Sequence, residues 1–439
     1  MSSSRPCTST GGTYTVAWVG DPAGAGAADD VVVGQVALDS GRGRLLITTV
    51  VLGSAVAMLT ATVVNVALPT LARDLDAGSS GQKWIINGYT LTLAALILIG
   101  GSLGDRFGRV RVYRVGVVWF AVASLLCALA WDTSSLIVFR LLQGVGGALL
   151  TPGSLAIIQA TLRHEDRGRG VGAWSGISGI AAAVGPLLGG LLVEVSWRWV
   201  FVVNVPVALA VLVLSRWVPE SHDPSADDTR LDVAGAWLTT VVLGASSFAL
   251  IEGPEGDFSW LEIACAVTAI AGVAAIVVVE RGRDHAMLPI ELFADRTFAV
   301  ANAVTFAIYG GMGVLFFLLS IQLQVSAGWS PLEAGTSLLP VTALMLLLSS
   351  RAGGLASKIG PRWPLTIGAF TVAGGMLLMT RIGRDASFFG DVLPAVTVFG
   401  LGLAAIVAPV TSTALDAAPD DRSGAASGVN NAVARTAGL

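Results

Sequence analysis

Arg140 is the single charge between Asp132 and Arg163, in the stretch RLLQGVGGA. Gln143, about one turn on, shares its face of a helix and can share its hydrogen bonds. A guanidinium in apolar surroundings is costly, so Arg140 either faces a polar, water-filled interior or stretches toward Asp132 and the nearby interface. A second constellation is GSLGDRFGRVR at Gly101–Arg111. Gly101, Gly104 and Gly108 let two helices turn tightly, and Asp105 with Arg106, Arg109 and Arg111 can form a charge network that latches and releases a neighbouring element. The alternative is a basic loop that only sets orientation. In Gly185-Pro186-Leu187-Leu188-Gly189-Gly190 the proline removes a backbone hydrogen bond and the glycines allow close helix contact, although ordinary packing uses the same small residues. Thr60, Asn65, Asn87, Tyr89 and Trp174 lie in other apolar runs, where each can line a cavity or satisfy a neighbouring helix.

The elements that position these residues follow from where charge is absent. Of 439 residues, 54% are hydrophobic and 13% charged, against about 25% charged in a soluble domain. Charge-free runs such as Leu45–Ala72, Trp84–Gly104, Gly170–Val193 and Val392–Leu415 recur along the chain. Each can supply the roughly 17 to 25 helical residues that cross a bilayer. The expected fold is all-α transmembrane, with twelve complete spans and a partial thirteenth after Arg422. The runs lack the alternation of a membrane β-barrel. With a cytoplasmic amino terminus, cytoplasmic segments hold nineteen of the 26 basic residues and external loops five. That bias points to a multi-pass protein of the inner membrane. Two lysines against twenty-four arginines suggest a GC-rich bacterial source.

Residues 1–43, rich in Gly, Ala, Ser and Asp without a basic-then-apolar leader, read as a disordered cytoplasmic tail. The net charge of -4 gives no reason to expect nucleic acid as a partner. Cys7, Cys127 and Cys265 have no metal-ligand spacing. No GxxxxGK[ST] phosphate loop is present, which excludes the usual ATP-driven pump.

The sequence also repeats itself. GSLGDRFGRV at Gly101–Val110 returns in degraded form as GGLASKIGPR at Gly353–Arg362, 252 residues later. Asp166-Arg167 returns as Asp421-Arg422. The expected organisation is a tail (1–43), a six-helix half (44–218), a linker with two extra helices (219–296) and an incomplete second half (297–439). On that template Leu439 corresponds to Val184, so the chain reads as ending within the fifth helix of its second half.

Taken together, these motifs resemble those of the major facilitator superfamily, specifically its fourteen-helix drug:proton antiporters of the EmrB/QacA type. Gly101–Arg111 is similar to the loop motif GxLaDrxGrkxxl. Arg140–Ala148 is similar to RxxQGxGaA, and Ala181–Gly190 to gxxxGPxxGG with Ala181 at its leading glycine. Ser196–Pro206 and Leu59–Pro69 also resemble stretches of this family, and the similarity runs from Leu45 to Leu439. The resemblance implies a major facilitator fold of two six-helix halves plus two extra central helices. It implies a transporter, not an enzyme, that exports hydrophobic or cationic drugs or natural products in exchange for protons. Its energy source would be the proton gradient, without a cofactor, and its partners would be small amphipathic substrates, protons and the lipid bilayer.

One departure stands out: Thr60 occupies the position of the aspartate in the family's first-helix pattern LDxTIVNVALP. No Asp or Glu lies mid-span in the complete helices. A threonine hydroxyl neither carries a proton nor balances a cation near neutral pH. The proton carrier is therefore unassigned, and little preference for dications is expected. The competing reading is a non-transporting sensor or inactive remnant of the same fold.

Overall fold

In lipid, backbone polar groups must be satisfied within the protein, and helices do this segment by segment. The computed structural model describes residues 16–17, 36–221, 233–253, 259–280, 290–418 and 423–438. A two-residue strand β1 (Val16–Ala17) pairs antiparallel with β2 (Glu220–Ser221), and everything else of consequence is helical.

The first half comprises α1 (Gly41–Asp74), α2 (Ser79–Phe107), α3 (Arg109–Ala128), α4 (Thr133–Thr161), α5 (His164–Val195) and a sixth element made of α6 (Trp199–Val202) and α7 (Asn204–Ser215). The helix starts are written locally. Ser40 accepts from the Gly43 amide at 3.0 Å, and Asp132 and Ser135 cap α4 reciprocally, satisfying amides that lack a helical partner. Next come α8 (Val233–Glu252) and α9 (Trp260–Glu280). The second half holds α10 (Arg296–Ile321), α11 (Pro331–Thr336), α12 (Leu339–Ile359), α13 (Arg362–Met379), α14 (Leu393–Asp416) and α15 (Ser423–Ala437).

The charge-free runs fall on these helices, and the long run from Thr297 breaks at residues 327–330, before Pro331. Among the described residues, seven helices are long and apolar enough to cross a membrane, or eight if the bent pair Ser79–Ile97 and Ile99–Phe107 is one span. Val184–Val195, Trp199–Ser215 and Trp237–Glu252 are shorter apolar helices. Of the twelve complete spans expected from charge alone, seven or eight thus meet that test among the described residues.

Each half has its own core, around Tyr113, Phe120 and Ile157 in the first and Phe399, Val396 and Leu403 in the second. The α8–α9 pair sits on the flank of the first half, against α2. Glu252 at the end of α8 accepts from Ser80 Oγ at 2.5 Å and from Trp84 Nε1 at 2.7 Å on α2. Helix α9 packs on α8 and leaves Val267, Ile270 and Val278 exposed, as an apolar face turned to lipid would be.

The repeat is visible in the backbone. Gly108, between α2 and α3, has φ of 100°, and Gly360, between α12 and α13, has φ of 84°. Both are left-handed conformations that glycine adopts without a Cβ clash. The counterpart of Asp166-Arg167, Asp421-Arg422, lies outside the described residues. So do residues 1–15 and 18–35 of the expected tail. From Val36 the chain is docked: the Val36 amide donates to the Thr161 carbonyl at 2.9 Å, and Leu38 N donates to Asp166 Oδ2 at 2.9 Å. Arg169 bonds both Asp166 and Asp39, at 3.0 and 3.2 Å, and holds the Asp39 carboxyl below its ordinary pKa.

Candidate functional site

Arg140 is the hub of a buried polar chain. Its Nε donates to the Ile85 carbonyl at 2.9 Å, and Nη1 donates to Gln143 Oε1 at 2.6 Å. Gln143 Nε2 donates to Ser124 Oγ at 2.7 Å, Asn204 Nδ2 donates to the same oxygen at 3.3 Å, and Thr60 Oγ1 donates to Asn204 Oδ1 at 3.1 Å. The path runs through α4, α3, α7 and α1. Arg140 is 1% exposed and the other four side chains 0%, so the guanidinium does not reach toward the interface beside Asp132. Tyr89 covers it, with the guanidinium carbon 4.7 Å from the ring centroid. Such a desolvated cation–π contact is worth about 2 kcal/mol. The tyrosine hydroxyl donates to the Ala57 carbonyl at 3.2 Å. Close approach of α2 and α4 makes this geometry possible: a Cβ at Gly144 would collide with Thr92 and the Tyr89 carbonyl.

Thr60, read as a gap in the family pattern, is therefore the far end of a hydrogen-bonded path to Arg140. Asn204 and Ser124 join the two and were not singled out from the sequence. Their signal was slight, a lone asparagine in VFVVNVP and one serine in an apolar run.

The glycine–aspartate–arginine turn lies at the basic end of the bundle. Arg109 Nε donates to Asp105 Oδ1 at 2.8 Å, within the first half. Arg106 is exposed, its guanidinium 5.7 Å from the Phe107 ring. Gly101 faces Pro152 of α4, and Gly104 faces Arg109. Sequence reasoning missed Glu220, whose carboxylate accepts from the Val110 and Arg111 amides at 2.8 and 2.9 Å. It caps the start of α3, where the helix dipole favours negative charge. A Cβ on Gly108 would crowd that carboxylate at 2.9 Å.

At the opposite end the two halves meet. Pro69 cannot donate to the Asn65 carbonyl four residues back. Ser320 Oγ of the second half does so instead, at 2.8 Å, and Gln324 Nε2 donates to the Val66 carbonyl at 2.9 Å. The GPLLGG segment forms the other side of this seam. A Cβ on Gly190 would lie 2.6 Å from Leu332 Cα, and one on Gly335 would collide with the Pro186 carbonyl. Gly185 and Gly189 face inward, against Thr62 and Val63 of α1. A cavity of about 60 Å³ lies within the seam, lined by Thr62, Asn65, Pro186, Phe316, Ser320 and Thr342 among others. An open depression of about 720 Å³ around Trp329, Glu333 and Phe388 belongs to the second half alone.

Of the remaining candidates, Trp174 Nε1 donates to Ser54 Oγ at 2.8 Å, and Asn87 is half-buried on α2. Cys127 Sγ lies 4.0 Å from Gln143 Oε1, inside the first-half core. Among the described residues no cluster of His, Cys, Asp and Glu could hold a metal ion.

Two bundles joined across a seam, with the same glycine turn in each, are the architecture that the family model also recognises: Major Facilitator Superfamily, over residues 50–439. The chain belongs to the major facilitator superfamily. It is a multi-pass membrane transporter, not an enzyme. Among its relatives, the multidrug resistance protein Stp of Mycobacterium tuberculosis is 35% identical over 392 residues, 87% of this chain and 71% of that protein. The tetracenomycin C resistance and export protein of Streptomyces glaucescens is 32% identical over 407 residues, 91% of this chain and 74% of that one. Among solved structures, a bacterial homolog of the human lysosomal transporter Spinster, in an inward-facing and unoccupied conformation, superposes with a TM-score of 0.65. That match is 16% identical and covers 91% of this chain and 81% of the other. At that identity it speaks for the fold alone.

Proposed function

We propose that this major facilitator transporter exports amphipathic drugs or natural products across a bacterial cell membrane, by alternating access and in exchange for protons. The observation that carries the reading is the seam. Ser320 and Gln324 bond backbone carbonyls of α1, and GPLLGG packs on α11, all at the end opposite the basic loops. With those loops cytoplasmic, as their arginines favour, the path is shut outside and loads from inside. Export needs that first state, and two halves rocking about a central site supply the second. The names of the relatives, resistance and export proteins among them, support efflux as the direction. The α8–α9 pair between the halves supports the fourteen-helix type.

The test uses inside-out vesicles with an acid interior and a pH-sensitive dye, to which amphipathic compounds are added. Substrate-evoked proton release that is absent from empty vesicles is the expected outcome. Substrate uptake without proton movement would retain the exporter and remove the proton coupling. A well-inserted chain that moves no compound would leave the sensor or remnant reading.

A further inference from the structure

The short helix α11 has two faces. Leu332 and Gly335 close on GPLLGG across the seam. Glu333 and Thr336 instead line the depression of about 720 Å³. The division continues along α12, where Leu338, Val341 and Thr342 line the seam cavity, and Leu339, Pro340 and Ala343 line the depression. At about 100° per residue, these two sets lie on opposite sides of the helix. Further along α12, Leu346 and Leu347 are 44% and 62% exposed, as side chains against lipid are. The depression is therefore a groove in the membrane-facing flank of the second half. It shares the seam's end of the bundle, which is the level of the outer leaflet when the basic loops are cytoplasmic.

The first half fills the equivalent place. By the 252-residue offset of the repeat, Thr336 corresponds to Trp84 of α2. Trp84 is covered by α8: its ring lies 6.4 Å from Phe248, and its indole donates to Glu252 at 2.7 Å. The sixth element lies elsewhere, on α1 and α3. This flank of the fold thus takes an apolar body with a polar end. In the first half the flank supplies an indole and the occupant a carboxylate. In the second half the groove supplies both, from Trp329 and Glu333. Glu333 Oε2 accepts from the Ser330 amide at 2.8 Å, while Oε1 and the Trp329 indole have no partner among the described hydrogen bonds. What fits is a cation on an apolar body, with an acceptor for the indole. A transmembrane helix of 10 Å diameter would fill the groove with only about six residues, whereas a lipid head group and the start of its chains fill it within one leaflet.

We propose that this groove holds one phospholipid of the outer leaflet whose head group ends in an ammonium. The ammonium pairs with Glu333 beside Trp329 and Phe388, the phosphate accepts from the Trp329 indole, and an acyl chain follows Leu339, Pro340 and Ala343 along α12. Because Glu333 and Thr336 share α11 with Leu332 and Gly335, the bound lipid braces α11 against GPLLGG and favours the shut seam. The site lies outside the export path and does not depend on the transport reading.

The experiment uses the full chain in detergent and native mass spectrometry with phosphatidylethanolamine and phosphatidylglycerol of the same acyl chains. The wild-type protein should retain the ethanolamine lipid about tenfold more tightly, as a charge-assisted pair predicts. Glu333→Gln keeps the capping box, which accepts either residue, and should bring the two lipids within about twofold. Glu262→Gln, at the same end on α9 and outside the groove, should leave the preference intact. Trp329→Phe should weaken ethanolamine-lipid binding several-fold by removing the indole donor. Equal retention by the wild-type protein, a preference that survives Glu333→Gln, or one that disappears in Glu262→Gln overturns the site. A dimer that Ala343→Trp splits would give the flank to a second copy and overturn it too. In proteoliposomes, an Asn65→Cys label in the seam should react more slowly with an impermeant maleimide when the ethanolamine lipid replaces phosphatidylglycerol, and Glu333→Gln should remove that difference. Equal rates without the Glu333 change overturn the brace. Every arm reads binding or labelling, so a chain that moves no compound overturns the exporter and leaves the lipid site standing.

Discussion

Arg140 and Arg435 are both guanidiniums carried on helices of the bundle, and the structure treats them differently. Arg140 donates to a backbone carbonyl and to Gln143, lies under Tyr89 and is 1% exposed. Arg435 is half-buried, and its described hydrogen-bond acceptor is a sulfur. An internal partner converts the cost of burying a charge into cohesion among several helices. Arg435, whose described acceptor is a thioether, gains little such cohesion.

The largest expected effect breaks or keeps this contrast directly. Arg140→Ala removes a buried charge, opens a cavity and strands Gln143 Oε1, so the unfolding free energy should fall by roughly 3 to 5 kcal/mol. Arg435→Ala should change it by less than about 1 kcal/mol, because its partner is weak. Thermal unfolding of both variants in detergent measures the difference, and equal losses would end the comparison. The double variant Ser320→Ala, Gln324→Ala should weaken the seam by about 2 kcal/mol, one for each hydrogen bond. A cysteine placed at Asn65 should then react faster with an impermeant maleimide added from the side opposite the basic loops. An unchanged rate would mean that the seam is held by the GPLLGG packing alone.

A third variant sharpens the electrostatics. Thr60→Asp places a carboxylate at the end of the path leading to Arg140 and should shift preference several-fold toward a cationic amphipath over its neutral analogue. Binding of a trimethylammonium amphipath and of its carboxamide analogue to this variant reads the shift, and an unaltered ratio would show that a charge at this end of the path does not reach the ligand. The smallest effect belongs to Glu220→Gln, which keeps the shape of the α3 cap and removes its charge. A loss of about 0.5 to 1 kcal/mol is expected from the helix-terminus charge effect, measurable as a small drop in melting temperature that added salt should diminish.

The two glycine turns make the same point more quietly. Gly108 and Gly360 share a backbone conformation 252 residues apart. Only the first is accompanied by an Asp105–Arg109 pair and a Glu220 cap, since Ser357 and Pro361 stand at the positions of Asp105 and Arg109 in the repeat. The turn was legible twice from its glycine spacing. The cap was legible in neither copy, because Glu220 comes from the far end of the half.

What the sequence by itself determined is whatever depends on local composition and period. Charge-free runs dictate helices in lipid because no other open structure satisfies the backbone there. The repeated motif dictates two related halves, and the ordered motifs mark the superfamily. The lone Arg140 announced itself because a charge in an apolar run is rare. Only the tertiary structure decided what each polar group does. Thr60 and Arg140 lie 80 residues apart and become one hydrogen-bonded path through Ser124 and Asn204, neither conspicuous in sequence. The carbonyl released by Pro69 finds its donor 255 residues away in Ser320. Helix α15 brings Arg435 to Met58 of α1, 377 residues away in sequence. Hydrogen bonds and charges act over a few ångströms, so their partners are fixed by how helices pack, and packing is a property of the assembled bundle.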